Sequence, residues 1–412
     1  MAAEILEVEI ARLGAGGDGV ADGPGGPIYV PFTLSGERVV IALKPGENRG
    51  DLLEVVEPSR DRVAPVCRYF GACGGCALQH MEKDAYLAWK RDQVAAAFKA
   101  RGLTVAIEPV LTVPLASRRR ATLSLGRERQ GPVLGYRRAR SHDLIDVDAC
   151  PVLVPVISAR LARLKQALGS LLGVRREARV TLTETETGLD VLLEGARPSP
   201  VAIGAFAAEA AALSVARLTA GADSIALGGA PELDLSGARV KLPPGAFIQA
   251  SREAETEMVA LVLEGAGKAK RIADLFAGLG TFTFALARSS AVDAYEADGA
   301  ALAQLAEAAR RTPKLKPVRP FARDLFRAPL GVAELQAYGA VVFDPPRAGA
   351  SAQATQLAKS PVPSLVAVSC NPGTLARDLR ILVDGGYRIT RVVPVDQFLF
   401  SPHIEVVAHL SR

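Results

Sequence analysis

No run of about 18 consecutive apolar residues free of charge occurs in this 412-residue chain, so no membrane-spanning helix is predicted. The first nine residues carry acids where a secretory leader needs basic residues ahead of an apolar core, and a cytoplasmic location is expected. Internal repeats and low-complexity tracts are also missing, which excludes solenoids and disordered interaction tails. Cysteine is scarce, with five residues in all. In a reducing compartment such thiols do not form a disulfide framework, so ligation, catalysis or burial must account for them.

With 49% hydrophobic and 23% charged residues, the chain is an ordered globular protein. It is too long for one comfortable core, and two or three domains are expected. The net charge of +5 suits a polyanion binder and an ordinary basic enzyme equally. Its distribution says more. Between Ser117 and Arg140 stand eight arginines, at 118, 119, 120, 127, 129, 137, 138 and 140, against the single acid Glu128. Such a strip can pair with phosphates, or it can be a solvated strand face.

Residues 1–58 read as short apolar runs between glycine-rich turns, the pattern of a small β-barrel. Residues 59–245 hold the cysteine segment, a predicted helix over 84–101 that braces neighbouring domains, and an α+β region with an apolar helix around 156–172. From 246 to the end, strands alternate with helices. Strands are predicted at 271–275, 292–296, 341–343, 365–369 and 388–395, giving a doubly wound, mainly parallel sheet.

Chemistry concentrates at the ends of these strands. Asp274-Leu-Phe-Ala-Gly-Leu-Gly-Thr281 is a glycine turn between strand and helix, where the backbone can approach a nucleotide-like ligand. Glu296 follows about twenty residues later, at the end of the next strand, placed to accept hydrogen bonds from ribose hydroxyls. Asp344-Pro-Pro-Arg347 holds an acid in a loop stiffened by two prolines, or is simply a rigid turn. Cys370, in Ser369-Cys-Asn-Pro372, sits at a strand edge beside a predicted helix N-terminus, a location that favours thiolate; a small buried residue is the bland reading.

Uracil chemistry unites these pieces. Carbon 5 of uracil is a weak nucleophile until a thiolate adds at C6, and after alkylation a base must remove the C5 proton before the thiolate can leave. Glu405, at the end of Asp396-Gln-Phe-Leu-Phe-Ser-Pro-His-Ile-Glu405, is the candidate base. The remaining thiols, Cys67, Cys73, Cys76 and Cys150, suggest one soft-ligand site. Their spacing is compatible with an iron–sulfur cluster or a structural zinc and does not choose between them.

Taken in order, Cys67-x5-Cys73-x2-Cys76, Asp274 to Gly280, Asp344-Pro-Pro-Arg347, Ser369-Cys-Asn-Pro372 and His403-Ile-Glu405 resemble the RNA (uracil-5-)-methyltransferase family, in its TRAM-containing, iron–sulfur, 23S rRNA branch. The resemblance spans nearly the whole chain. It implies an N-terminal OB-like TRAM barrel that binds RNA (1–58), a central domain with the cysteine cluster (59–245) and a C-terminal Rossmann-like methyltransferase domain (246–412). A [4Fe-4S] cluster on Cys67, Cys73, Cys76 and Cys150 is implied, with Cys370 as nucleophile and Glu405 as proton acceptor. For S-adenosylmethionine it implies Gln249, Phe276, Gly278, Gly280, Thr281, Glu296, Asp324 and Asp344. Structured RNA is the implied partner, with 23S rRNA ahead of tRNA, and no obligate protein partner is expected.

The sequence departs from the family pattern at Thr281, usually Asn, at 308–311, usually Asn-rich, at Leu399, usually Pro, and at Ser401, usually Thr. Cytosine-5 methylation, which also begins with a thiolate, usually employs two cysteines where only Cys370 is spare. Amino-group methylases usually carry an aromatic residue where Arg347 stands. A non-catalytic RNA-binding protein has no need of Cys370 and Glu405.

Overall fold

In the first sixty residues, valine and isoleucine recur with the two-residue period that buries one face of a strand, and glycines supply the turns. The computed structural model describes every residue except Met1, Ala2, Pro24, Arg140, Val174, Arg175 and Ala222, with side chains left aside at Ile225 and Ala226. Five antiparallel strands form here, in the order Gly26–Val30, Gly19–Gly23, Glu4–Leu13, Arg38–Leu43, Gly50–Glu57. The sheet curls until its edges meet, Tyr29 N–H donating to the Asn48 carbonyl at 2.8 Å. Ile10, Ala21, Ile28, Val30, Val39 and Ile41 fill its interior.

A seven-stranded sheet follows, antiparallel except where Gly188–Glu194 runs parallel to Val215–Ala220. The predicted helix over 156–172 is two pieces, Pro155–Ser158 and Leu161–Gly169. The break lies at Arg160, whose N–H bonds back three residues to Ile157 and whose φ of −107° leaves the helical range.

The third sheet positions the site. Its eight strands run in the order Val318–Ala322, Ala291–Glu296, Arg271–Leu275, Ala340–Phe343, Ser364–Ser369, Glu405–Ser411, Arg388–Asp396, Leu111–Thr112. The first five are parallel; the four inner ones are largely buried, as strands covered on both faces must be, while Val318–Ala322 at the edge is mostly exposed. The C-terminal strand Glu405–Ser411 inserts antiparallel between Ser364–Ser369 and Arg388–Asp396. Strand order reverses between Arg271–Leu275 and Ala340–Phe343, the switch point at which open α/β sheets bind ligands.

Residues far upstream complete this layer. Leu111–Thr112 adds its edge strand, and Val94, Phe98 and Leu103 pack into the core beneath the sheet. Val94 and Phe98 lie on the helix Lys83–Lys99, close to the predicted 84–101. The same helix carries Lys90, which is fully buried and paired with the equally buried Asp396. Lys90 Nζ also donates to the His403 carbonyl at 2.7 Å, and Tyr86 hydroxyl donates to Asp396 Oδ2 at 2.6 Å. Among the described residues no helix is long and apolar enough to cross a membrane.

Removing one partner of a buried, hydrogen-bonded ion pair strands the other charge and typically costs about 3–5 kcal/mol, whereas apolar replacement of both is close to neutral. Lys90→Met is expected to lower the unfolding free energy by that amount, read as a lower urea midpoint at unchanged slope and followed by the fluorescence of Trp89, the single tryptophan. Lys90→Met/Asp396→Leu should recover much of the loss. A single variant unfolding at the wild-type midpoint would show that the pair does not anchor the layer.

Candidate active site

The turn after Arg271–Leu275 bends through three left-handed residues: Phe276 at φ 62°, Gly278 at 55° and Gly280 at 98°. A Cβ at Gly280 would sit 2.6 Å from the Phe284 ring, so glycine is required there for packing as well as conformation. Phe276, which does carry a Cβ, holds a conformation that costs about 1–3 kcal/mol, the kind of strain found at ligand clamps. Its neighbours hold it there: Ala277 N–H donates to the Tyr295 carbonyl at 3.0 Å. The following helix, Thr281–Leu286, is shorter than the predicted 281–288.

Glu296 ends the adjacent strand and ties the turn together. Its Oε2 accepts from Gly278 N–H at 2.9 Å, and Oε1 accepts from Ala297 and Asp298 N–H groups at 2.7 and 2.8 Å. A carboxylate has about four acceptor sites, so one lone pair, on Oε2, remains for a ligand hydroxyl. Asp274 is buried, with Thr283 hydroxyl on Oδ2 at 2.5 Å and, among the described residues, no partner on Oδ1. Burial, with Asp344 and Glu296 nearby, pushes it up to about 7.

Asp344, Cys370 and Glu405 come together through strand register. Phe343 pairs with Leu275 on one side and Ala367 on the other, and Ser369 pairs with Val406. Cys370 therefore lies across from Glu405, and Asp344 ends the strand beside them. The loops are stitched as well: the Arg347 carbonyl accepts from Asn371 Nδ2 at 3.1 Å and Thr374 hydroxyl at 3.2 Å.

A cavity of about 500 Å³ joins these groups to the glycine turn. Cys370, Glu405, Asp344 and Gln249 line one end. Phe276, Gly278, Thr281, Glu296 and Asp324 line the other, while Gly280 shapes the turn from behind. Asp324 uses Oδ1 to accept from Phe326 and Arg327 N–H groups, holding its own turn. Several lining residues escaped the sequence reading, three aromatic ones among them. Phe326, 48% exposed with its ring 5.5 Å from that of Phe276, follows Asp324 by two positions, a readable signal. Phe247 lies two residues before Gln249, and Tyr295 immediately precedes Glu296.

The expected thiolate at Cys370 is not favoured in the free protein. Burial pushes the thiol up to about 11, with Glu405 and Asp344 adding to the rise and Arg347 opposing it. The helix Pro372–Asp384 does not help, because Asn371 Oδ1 already accepts from its first N–H groups, at 3.0 and 3.4 Å. Asp344 and Glu405 are both pushed above the usual carboxylate range, burial being the main cause for each. Three acidic groups enclosed together cannot all ionise. The arrangement places carboxylates that, once ionised, can take a proton from the thiol or from a substrate carbon.

Cys67, Cys73, Cys76 and Cys150 are free, half-buried and line a second cavity of about 370 Å³ with Arg118, Arg120 and Tyr136. Burial raises Cys73 and Cys150 and pushes Cys76 up to about 12, the cysteines adding to one another's rise. Among the described residues, no group of three or more His, Cys, Asp or Glu side chains closes into a metal site.

The arginine strip is not one solvated or phosphate-facing surface. Arg119 is buried, bonding the Gln249 carbonyl at 3.0 Å and Glu255 at 2.5 Å. Arg127 caps the end of Leu161–Gly169 through the Gly169 and Leu172 carbonyls. Arg137 pairs with Glu177, Arg138 with Asp143, and Arg118 and Arg120 face the cysteine cavity. The balancing acids lie outside the counted window, Asp143 just beyond it and Glu177 and Glu255 in distant segments, so the local count overstated the field; Arg140 lies outside the described residues.

A glycine turn backed by an acid at the switch point of an open α/β sheet is an arrangement that receives a nucleotide-like cofactor. Residues 235–412 match the family described as tRNA (uracil-5-)-methyltransferase. A protein named as an RNA methyltransferase from Brucella suis is 47% identical over 407 residues, covering 98% of each chain. The 23S rRNA (uracil(1939)-C(5))-methyltransferase RlmD of Chromohalobacter salexigens is 37% identical, covering 98% of this chain and 89% of its own. Among solved structures, the Pyrococcus abyssi tRNA (uracil-54, C5)-methyltransferase in complex with S-adenosyl-L-homocysteine superposes with a TM-score of 0.74 at 22% identity, covering 98% of this chain and 99% of that one. The chain belongs to the RNA (uracil-5-)-methyltransferase family, and it is an enzyme that methylates RNA uracil at C5 with S-adenosylmethionine.

Because Cys370 is held protonated, its carboxymethylation in the free enzyme is expected to rise about tenfold per pH unit from pH 7 to 9 without levelling. In Glu405→Gln the profile should move to lower pH. Mass spectrometry of the Cys370 peptide reads both, and a plateau by pH 8 in the wild type would contradict the assignment.

Proposed function

We propose that this enzyme methylates a uridine of 23S rRNA through a covalent bond between Cys370 and C6 of the base, resolved by Glu405. The observation that carries the reading is the strand register setting Cys370 opposite Glu405, beside Asp344, at one end of the cavity that the glycine turn closes. The 23S target rests on the similarity to RlmD along nearly the whole chain.

Cys370 gives its proton to a neighbouring carboxylate and attacks C6, and the C5–C6 π electrons move onto the ring as an enolate. S-adenosylmethionine supplies an electrophilic methyl group at C5. Glu405 in its ionised form then takes the C5 proton, the C–H pair restores the C5–C6 double bond, and the C6–S bond breaks to return Cys370 as thiolate. Asp344, held between two prolines and Gln249, is suited to orienting the uracil edge. Glu296 and the left-handed turn at Phe276 are suited to the ribose and adenine ends of the cofactor, with Gln249, Gly278, Gly280, Thr281 and Asp324 completing the site.

For the thiols of Cys67, Cys73, Cys76 and Cys150 we propose a [4Fe-4S] cluster. Four soft donors that line one cavity together with two arginines suit a cluster that four thiolates make net negative. Such a cluster would cross-link segments distant in sequence; no step of the methyl transfer needs it. We assign residues 1–58 as the RNA-binding TRAM barrel, 59–245 as the central domain and 246–412 as the catalytic domain, with residues 83–113 packing as part of the last.

Labelled S-adenosylmethionine and unmodified 23S rRNA should yield labelled 5-methyluridine. Cys370→Ala is expected to lose transfer by more than about a thousandfold while still binding S-adenosylhomocysteine, and Glu405→Gln to accumulate a protein–RNA adduct stable on a denaturing gel. Full activity in Cys370→Ala would remove the mechanism, and label entering tRNA alone would move the target. Anaerobically purified protein should carry about four irons with matching sulfide; stoichiometric zinc would replace the cluster assignment.

A further inference from the structure

Gln397 has no part in the steps above, yet it links the two carboxylates of the site. Its side chain is 2% exposed, and its Oε1 accepts from the Ala250 N–H at 2.8 Å. A backbone N–H can only donate, so this contact decides which way round the amide lies. Nε2 is thereby turned inward, where it donates to Gln249 Oε1 at 2.8 Å and to Glu405 Oε1 at 3.0 Å. With its oxygen engaged, Gln249 presents its own Nε2 to Asp344 Oδ2 at 3.3 Å. The chain Glu405, Gln397, Gln249, Asp344 thus takes its polarity from one backbone N–H.

We propose that Gln397 is a positioning residue for removal of the C5 proton: its carboxamide holds the Glu405 carboxylate in place, stabilises its ionised form, and aims the Gln249 amide at Asp344. The inference rests on the reading of Glu405 as the base. A hydrogen bond donated to a carboxylate favours the charged form. At Glu405 that donor works against burial and against Asp344, which both favour the protonated acid. The other groups facing this corner are the Cys370 thiol and, beyond it, Arg347, whose guanidinium lies 3.3 Å from His403 Nδ1. Asp396, next to Gln397, is neutralised by Lys90, and Lys90 also holds the His403 carbonyl. Among the described residues, Gln397 is therefore the side-chain donor that Glu405 has while the base must be ionised.

Position also matters. Gln397 belongs to the loop between Asp396 and Glu405, which is fastened from both sides: Phe400 carbonyl accepts from Ala77 and Leu78 N–H groups at 2.8 and 3.1 Å, just after Cys76. With that backbone fixed, the amide is the adjustable link between the loop and the carboxylate.

Gln397→Met keeps the side-chain length and removes the donor and the acceptor. Its expected effect is a fall in kcat of about tenfold or more at pH 7, with the acid limb of the pH–rate profile moved up by about one unit and S-adenosylhomocysteine affinity within about threefold of wild type. On ordinary uridine the covalent adduct should accumulate, because methylation outruns proton removal. On 5-fluorouridine RNA, where no C5 proton is available, trapping should proceed near the wild-type rate. Gln397→Asn, which withdraws the amide by one methylene, should show the same pattern and serves if the Met variant does not fold.

An unchanged acid limb with no adduct on ordinary uridine would overturn the proposal, as would parallel loss of fluorouridine trapping and cofactor binding, which would mark Gln397 as packing alone. Glu405→Gln is run alongside. If it fails to accumulate adduct, the base assignment itself falls; if it accumulates adduct and Gln397→Met does not, the role of Gln397 alone falls.

Discussion

The antiparallel insertion of Glu405–Ser411 between two strands of opposite direction is the constraint on which this active site depends. A strand has a side-chain period of two, so a slip of one residue would turn Glu405 out of the cavity and put its neighbour in its place. The slip is opposed by close packing along the strand, because Val406, Val407, Ala408 and Leu410 are buried on both faces of the sheet and differ in size, so each fits its own site. The position of one carboxylate is thus held by apolar packing along the whole strand. Its distance from Cys370 is a matter of register, not of a flexible loop.

The loop entering that strand is held with equal care. Lys90 and Tyr86 reach Asp396 from a helix more than 300 positions upstream, and backbone groups following Cys76 bind the loop near its centre. Leu399, which departs from the family proline, packs against the core that contains Val393 and Val395. Where the family has a rigid ring, this chain uses a half-buried side chain and main-chain hydrogen bonds. Thr281, the other departure nearest the chemistry, still lines the cofactor end of the cavity.

What the residues revealed in advance follows the range of the forces involved. The parallel strands were legible because apolar runs alternate with helices, and Asp344, Cys370 and Glu405 were legible because each stands at a strand end in a short local motif. The thiol's protonation was misread since a helix N-terminus was credited with field that Asn371 had already consumed, while the acids that raise Cys370 come from two other strands. The arginine strip failed for a similar reason: its partners Glu255 and Glu177 lie outside the window in which charge was counted. Gln397 could not be read at all. Its meaning comes from Gln249 and Ala250, close to 150 positions away.

The pairing of Lys90 with Asp396 also has a consequence in time. The two residues are 306 positions apart, and a ribosome adding roughly 5–20 residues each second needs on the order of 15–60 s to travel between them. Through that interval the helix Lys83–Lys99 has emerged but has nothing to bury its lysine against, and the edge strand Leu111–Thr112 has no sheet to join. The catalytic layer can be completed only once Glu405–Ser411 has been made. A nascent chain therefore holds a solvated lysine and an unfinished layer until it acquires its base, while the β-barrel and the middle sheet, which have cores of their own, can fold ahead of it.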